Sequence, residues 1–294
     1  MKRKPARIII LLCILLFPMV VNADWIRLAS WNIEKLGTNA DESAPVALAE
    51  HLHLTGVDVI LMQEIYDNDG NSTTKTNSQL DETFRILNEE TGQDWTYEMF
   101  PNRHAGDKSQ LLATAWNRSR LKKIGETYRL EFDRTGNEWD RHPHAIKLSA
   151  GDDKTDIVLV GIHMKANFQG DFSEQRAKEA NILVEALPEI QNRFEDYDVI
   201  FAGDFNCKSN DEPAIKQLED IAYRDLNGKD KETHVQYGPL DRILVPTPGV
   251  NESAAEFSFS RQYILTAADS DAFDEYLSDH LMILTPIRIL EDDD

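Results

Sequence analysis

Cysteine is almost missing from this chain of 294 residues: there are two, Cys13 and Cys207. Cys13 lies in an N-terminal stretch that reads as a leader, with Lys2, Arg3, Lys4 and Arg7 ahead of an apolar run, Ile8 to Val21, and a small residue, Ala23, before Asp24. Those are the three regions of a secretory signal. The alternative is an uncleaved anchor, but the run is short for a bilayer span and Pro18 breaks it. Cleavage after Ala23 leaves Cys207 alone, which excludes an intrachain disulfide. A lipoprotein reading through Cys13 is poor, since apolar residues continue past it. The expected layout is a signal peptide at 1–23 and a single catalytic domain at 24–294, placed outside the cell or in the periplasm.

Basic residues are also scarce. The whole chain has 31 Lys and Arg against 52 Asp and Glu, a formal charge of −21. Loss of the four basic residues of the leader leaves 27 against 52, or −25. This excludes a broad basic face for nucleic acid, because neutralising phosphates takes clustered Lys and Arg. A polyanionic substrate must be met locally, by a few cations and by metal. Internal repeats and interdomain linkers are absent, and so is any apolar hairpin that would dip into a membrane.

What is present is a series of apolar runs that end in polar residues. Val199 to Asn206, VIFAGDFN, is a strand followed by Gly203 and then Asp204 and Asn206, two residues apart and able to face the same way. Taken alone, this is also what a strand-end turn looks like. Ile26 to Ile33 ends in Trp31 and Asn32, Val57 to Ile65 in Gln63 and Glu64, and Asp156 to His163 in its histidine. Further strands are expected at Trp95 to Phe100, Leu111 to Asn117, Tyr128 to Phe132, His144 to Leu148, Leu240 to Val245, Phe257 to Tyr263 and Leu281 to Leu290. Helices are expected at Asp41 to Leu54, Gln79 to Glu90, Ser173 to Phe194 and Glu212 to Leu218. Asp67 to Ser78 reads as a polar loop. His51 and His53 fall on different helix faces and do not make a metal pair. Cys207 reads as a packed thiol. The element order predicts an α/β fold, a layered sandwich of two packed mixed sheets with helices outside.

Asn32, Glu64, His163, Asp204, Asn206, Asp241, Asp279 and His280 would converge if these strands open at one edge, and carboxylates packed together need a cation. Singly, each has an ordinary explanation: His163 a buried imidazole, Asp241 a bridge to Arg242. In order, SWNIE, MQEI, GIHMKAN, GDFN, LDRILV and LSDHLMIL resemble the endonuclease/exonuclease/phosphatase superfamily over nearly the whole chain after the leader. RHPHAIKL from Arg141 and YGPLDRILV are most similar to its deoxyribonuclease I branch.

The resemblance implies a metal-dependent phosphoesterase of two-sheet sandwich fold. Glu64 would be the principal Mg²⁺ ligand, with Asn32 beside it and Asp279 a further ligand, and Mn²⁺ able to substitute. Asp204 and Asn206 would place the attacking water and the phosphate. His280, paired with Asp241, and His163 would supply acid and base functions. Arg141 and Lys165 would touch phosphate, with Asn167 a weaker candidate. Gln110 stands where the branch has a glutamate supporting its first histidine, and the neighbouring tyrosine is missing, with Lys108 or Ser109 nearby. The expected partner is nucleic acid, DNA first, acted on by a monomer with no stable membrane association. A phosphatase or lipid-headgroup phosphodiesterase, and a non-catalytic toxin or interaction subunit, are the other readings.

Overall fold

A computed structural model describes residues 25–37, 44–68, 75–100, 110–130, 139–247, 262–265 and 270–291. The leader, the first three residues of the helix expected at Asp41 to Leu54, Lys108, Ser109 and most of the strand expected at Phe257 to Tyr263 lie outside them.

Two parallel pairs form the frame. β1 (Trp25–Leu36) and β2 (Val59–Ile65) are joined by helix α1 (Ala44–Thr55), and β7 (Asp156–His163) and β8 (Val199–Asp204) by α3 (Ser173–Phe194). Parallel strands need such a crossover. Antiparallel strands complete each sheet. β3 (Trp95–Phe100), β4 (Leu111–Asn117), β11 (Tyr263–Ile264) and β12 (Ile283–Arg288) give the first the order β11-β12-β1-β2-β4-β3. β5 (Lys122–Arg129), β6 (His144–Ser149), β9 (Tyr223–Asp225) and β10 (Asp241–Pro246) give the second the order β5-β6-β7-β8-β10-β9. Helices α2 (Ser78–Thr91), α4 (Pro213–Asp220) and α5 (Ser270–Tyr276) complete the described elements.

Alternation along each strand sorts its apolar residues into layers. Ile26, Leu28, Val59 and Leu61 of the first sheet meet Ile157, Leu159, Ile200, Ala202 and Ile243 of the second in the central core. Ala29, Trp31, Ile60 and Met62 turn outward to α1 and α2, while Val158, Val160, Val199 and Phe201 turn outward to α3 and α4. The expected sandwich is therefore observed. Helix α2 starts where the polar loop ends because the Asn77 side chain accepts from the Gln79 and Leu80 amides. Among the described residues no helix is long and apolar enough to cross a membrane.

The differences lie in weakly patterned segments. The strand expected at Tyr128 to Phe132 begins at Lys122, because β5 is an exposed edge strand rich in charge. The three residues of β9 and the short α5 are too brief to read from periodicity.

Candidate active site

The layering decides which polar residues meet. In β7 the inward set is Ile157, Leu159, Gly161 and then His163; in β8 it is Ile200, Ala202 and Asp204; in β10, Asp241 precedes inward Ile243 and Val245. His163 pairs in register with Asp204, and Asp204 with Asp241. One row of the second sheet therefore carries imidazole, carboxylate and carboxylate on three adjacent strands, facing the first sheet.

Across from them, Asn32 continues the inward set Ile26, Leu28, Ser30. Glu64 is out of phase with inward Val59, Leu61 and Gln63. A register shift corrects it: Met62 pairs with Ala113 and Ile65 with Leu111, so β2 holds one extra residue, and Glu64 adopts φ +61°. This β-bulge turns the carboxylate toward the second sheet. Asn32 Nδ2 then lies 3.1 Å from Asp204 Oδ2 and 3.4 Å from Glu64 Oε1. His163 Nε2 faces the same two oxygens at 3.7 and 3.9 Å.

His280 enters from the segment before β12. Its carbonyl accepts from Trp31 Nε1 at 2.7 Å, and its amide donates to Ser278 Oγ, which in turn donates to the Asn32 carbonyl. Its Nδ1 lies 2.9 Å from Asp241 Oδ2, which also accepts from Thr233 Oγ1 at 2.7 Å. Its Nε2 is left facing Asp204 Oδ2 at 3.9 Å and Asp279 Oδ1 at 3.8 Å. Arg242 takes no part, being on the outer face with Asp225 and Asp230, so the bridge from Asp241 to Arg242 is not formed.

The two imidazoles are polarised oppositely. Burial disfavours charge on both. At His280 the carboxylates of Asp241, Asp204 and Asp279 outweigh burial and raise its pKa to about 10. At His163 burial is reinforced by Arg141 and His280, and its pKa falls well below the usual value. Burial raises Asp204, with His280 pulling the other way.

Asn32 lies between Glu64 and Asp204, with Nδ2 toward their carboxylates and Oδ1 accepting from the Glu34 amide at 3.2 Å. Gln110 does not orient His163. Its Oε1 lies 3.5 Å from Arg141 Nη1, and among the described residues His163 Nδ1 has no partner. β7 ends at His163, so Lys165 is placed by the loop, with Nζ 2.6 Å from Asp140 Oδ2. Asn167 accepts from the Phe172 amide and Arg176 Nη1 and so braces that loop. Arg141 is buried, donating from Nη2 to the Met164 carbonyl at 2.7 Å. Asn206, at φ +52°, donates to the same carbonyl at 3.0 Å, and its amide donates to Asp204 Oδ1 at 2.8 Å. Thr233 and His234 were missed, for they lie in NGKDKETHVQYGPL, a stretch without strand or helix period.

Asp204, Asp241 and His280 offer ligand atoms within 4.8 Å of one another, as do His234, Asp279 and His280, and Asp279 Oδ1 is buried without a hydrogen-bond donor. Carboxylate oxygens suit a hard cation such as Mg²⁺.

A two-sheet sandwich with carboxylates, amides, one charged and one neutral histidine converging at one edge brings together the groups that hydrolysis of a phosphoester bond needs. The chain belongs to the endonuclease/exonuclease/phosphatase family, whose model matches residues 29–280. Among curated proteins it is similar to Deoxyribonuclease-1-like 2 of Mus musculus, 21% identical over 284 residues that cover 90% of this chain and 92% of the relative. Among solved structures it resembles a mannosyl-6-phosphatase of Bacteroides thetaiotaomicron, with a TM-score of 0.64, 15% identity and coverage of 90% of this chain and 99% of that one. It also resembles D. rerio TDP2 complexed with single strand DNA product, with a TM-score of 0.60, 17% identity and coverage of 90% and 99%. At these identities the structural likenesses speak for the fold alone.

Proposed function

We propose that the protein is an exported, Mg²⁺-dependent phosphodiesterase, and specifically an endonuclease that hydrolyses DNA. The observation that carries this reading is Asp204, whose Oδ2 takes the Asn32 amide at 3.1 Å and faces Nε2 of both His163 and His280 within 4 Å. The deoxyribonuclease-like relative, covering 90% of the chain, supports DNA as the substrate.

Each side chain has a task in this reading. Glu64 and Asp279 would hold Mg²⁺, which when bound would supply charge neutralisation on the phosphate oxygens. Asp204, its proton affinity raised by burial, accepts a proton from the attacking water, and the Asn206 amide keeps it oriented. His280 carries its proton on Nε2 and gives it, or its charge, to the developing oxyanion; Asp241 stabilises that imidazolium. His163, held neutral by burial and Arg141, binds a phosphoryl oxygen rather than acting as acid.

The acidity of the chain and the engagement of Lys35 by Glu34 and Lys165 by Asp140 favour a second reading, a phosphatase or phosphodiesterase for small phosphoesters. The complete site argues against a non-catalytic subunit. Nicking of supercoiled plasmid by the protein lacking residues 1–23, with Mg²⁺ and with EDTA at low and moderate salt, separates these readings. Mg²⁺-dependent nicking is expected. No nicking with any divalent ion, together with phosphate release from small phosphoesters, would replace the first reading by the second.

A further inference from the structure

The segment Thr233 to Val235 has no family motif, yet it is bound to the site along its length. The Val235 amide donates to the Asp279 carbonyl at 2.9 Å and the Leu281 amide to the Thr233 carbonyl at 2.7 Å, so the backbone runs antiparallel to Asp279–His280–Leu281. Its side chains address two different site carboxylates. Thr233 Oγ1 donates to Asp241, as described above. His234 Nε2 lies 3.4 Å from Asp279 Oδ2.

His234 is 5% exposed, and its ring is sandwiched edge-on between His280 and Tyr237, with centroids 4.5 and 4.6 Å apart. His234, Asp279 and His280 offer atoms within 4.8 Å of one another, a grouping that on composition alone would suit a transition metal. The tautomer excludes His234 as a ligand there. Its Nδ1 accepts from the Gln236 amide at 3.0 Å, and a backbone N–H can only donate. The proton of the neutral ring is therefore on Nε2, the atom that faces Asp279. That contact occupies Oδ2 and leaves Oδ1 as the buried oxygen without a donor.

We infer that His234 is a positioning residue: it holds Asp279 by Oδ2 so that Oδ1 is presented to the divalent ion, while its neighbour Thr233 holds Asp241 for His280. The inference rests on the reading of Glu64 and Asp279 as ligands. It adds that this short loop sets the metal affinity of the site without touching metal or substrate. Carboxylate ligands held by a fixed donor bind more tightly because their orientation is already restricted, and removal of such a partner costs about 10-fold to 100-fold in metal affinity.

Mn²⁺ binding to the substrate-free protein, followed by the electron paramagnetic resonance of free Mn²⁺, tests this directly. His234→Phe keeps a ring against His280 and Tyr237 but removes the donor, and is expected to weaken Mn²⁺ about 10-fold or more with an unchanged unfolding midpoint. His234→Gln carries an N–H at the ε position and is expected to bind within about threefold of the natural protein. If the Phe variant does not fold, His234→Met supplies the same comparison. In a Asp279→Asn background, His234→Phe is expected to add no further loss. Equal weakening by Phe and Gln, or an additive loss in the double variant, overturns the inference. Glu64→Gln tells the two failures apart: if it abolishes binding while His234→Phe leaves binding intact, the role of His234 is wrong; if it too leaves binding intact, the metal site itself is misplaced.

Discussion

Gly203 is the residue whose replacement has the most computable consequence. It lies in β8 at φ +155°, paired with Ile162 of β7, one step before the pair His163–Asp204. A Cβ at this position would sit 1.9 Å from the Ile162 carbonyl oxygen, against a floor of 3.0 Å for real Cβ contacts, and the obstacle is backbone. Relief demands a shift of about 1 Å between two central strands, or a change of φ that breaks the pairing. The backbone conformation alone costs about 1–3 kcal/mol for a residue with a side chain. Adding the displaced strand, Gly203→Ala should lose about 3 kcal/mol, which for a domain of this size lowers the unfolding midpoint by about 6–12 °C. The same shift separates His163 from Asp204, whose atoms stand 3.7 Å apart, and misplacement by about 1 Å costs on the order of 10²-fold in rate. Calorimetry and steady-state hydrolysis with Mg²⁺ measure both. A variant that melts within 2 °C of the natural protein and turns over within about threefold of it would refute the reasoning.

Glu64→Ala or His280→Ala should each lower hydrolysis by about 10²-fold to 10⁴-fold while the protein remains folded by circular dichroism, and full activity in both would remove the site assignment. Asp241→Asn keeps an acceptor for His280 Nδ1 but removes the charge that outweighs burial; the turnover rate at neutral pH should fall by about 10²-fold, and a change below threefold would show that the imidazolium is not needed. Glu179, beneath the loop after β7, accepts from the Lys165 amide at 2.9 Å and is pushed up to about 8 by burial. Between the ordinary glutamate value and 8 the folded chain keeps a proton that the unfolded chain has released, so stability falls as pH rises through this window and levels off above it. Glu179→Gln should flatten the decline in midpoint between pH 5 and 8, and an identical slope in both proteins would contradict the shift.

Sheet membership and the site's cast were legible because both rest on patterns that survive in one dimension. An apolar run that stops at a polar residue marks a strand end, and six such ends in a family's order mark a shared edge. Aim was less legible. Glu64 reads as outward by alternation and is inward only because β2 carries an extra residue, which nothing in VILMQEI announces. The geometry of Lys165 depends on β7 stopping at His163, after which the Met164 carbonyl is taken by Asn206 and Arg141. The support for His280 was hidden for a different reason. Thr233 and His234 reach the site through a loop that pairs with residues 279–281, some 45 positions away, and such a contact leaves no local period.

The distribution of strain explains why the site stands on a sandwich rather than on one sheet. Glu34, Lys35, Glu64, Gln110 and Asn206 all have positive φ, and all flank the converging strand ends. Each such residue costs of order 1 kcal/mol or more, and the same place also buries Asp204 and Asp241. Neither sheet could hold these groups alone, because the contacts that satisfy them cross the gap: Asn32 to Asp204, His163 to Glu64, His280 to Asp241. Those distances are therefore set by the spacing of the sheets, which is in turn set by the apolar side chains packed between them. The central core and the catalytic geometry are one mechanical object. Its stiffness is what lets strained backbone and close carboxylates persist at its open edge.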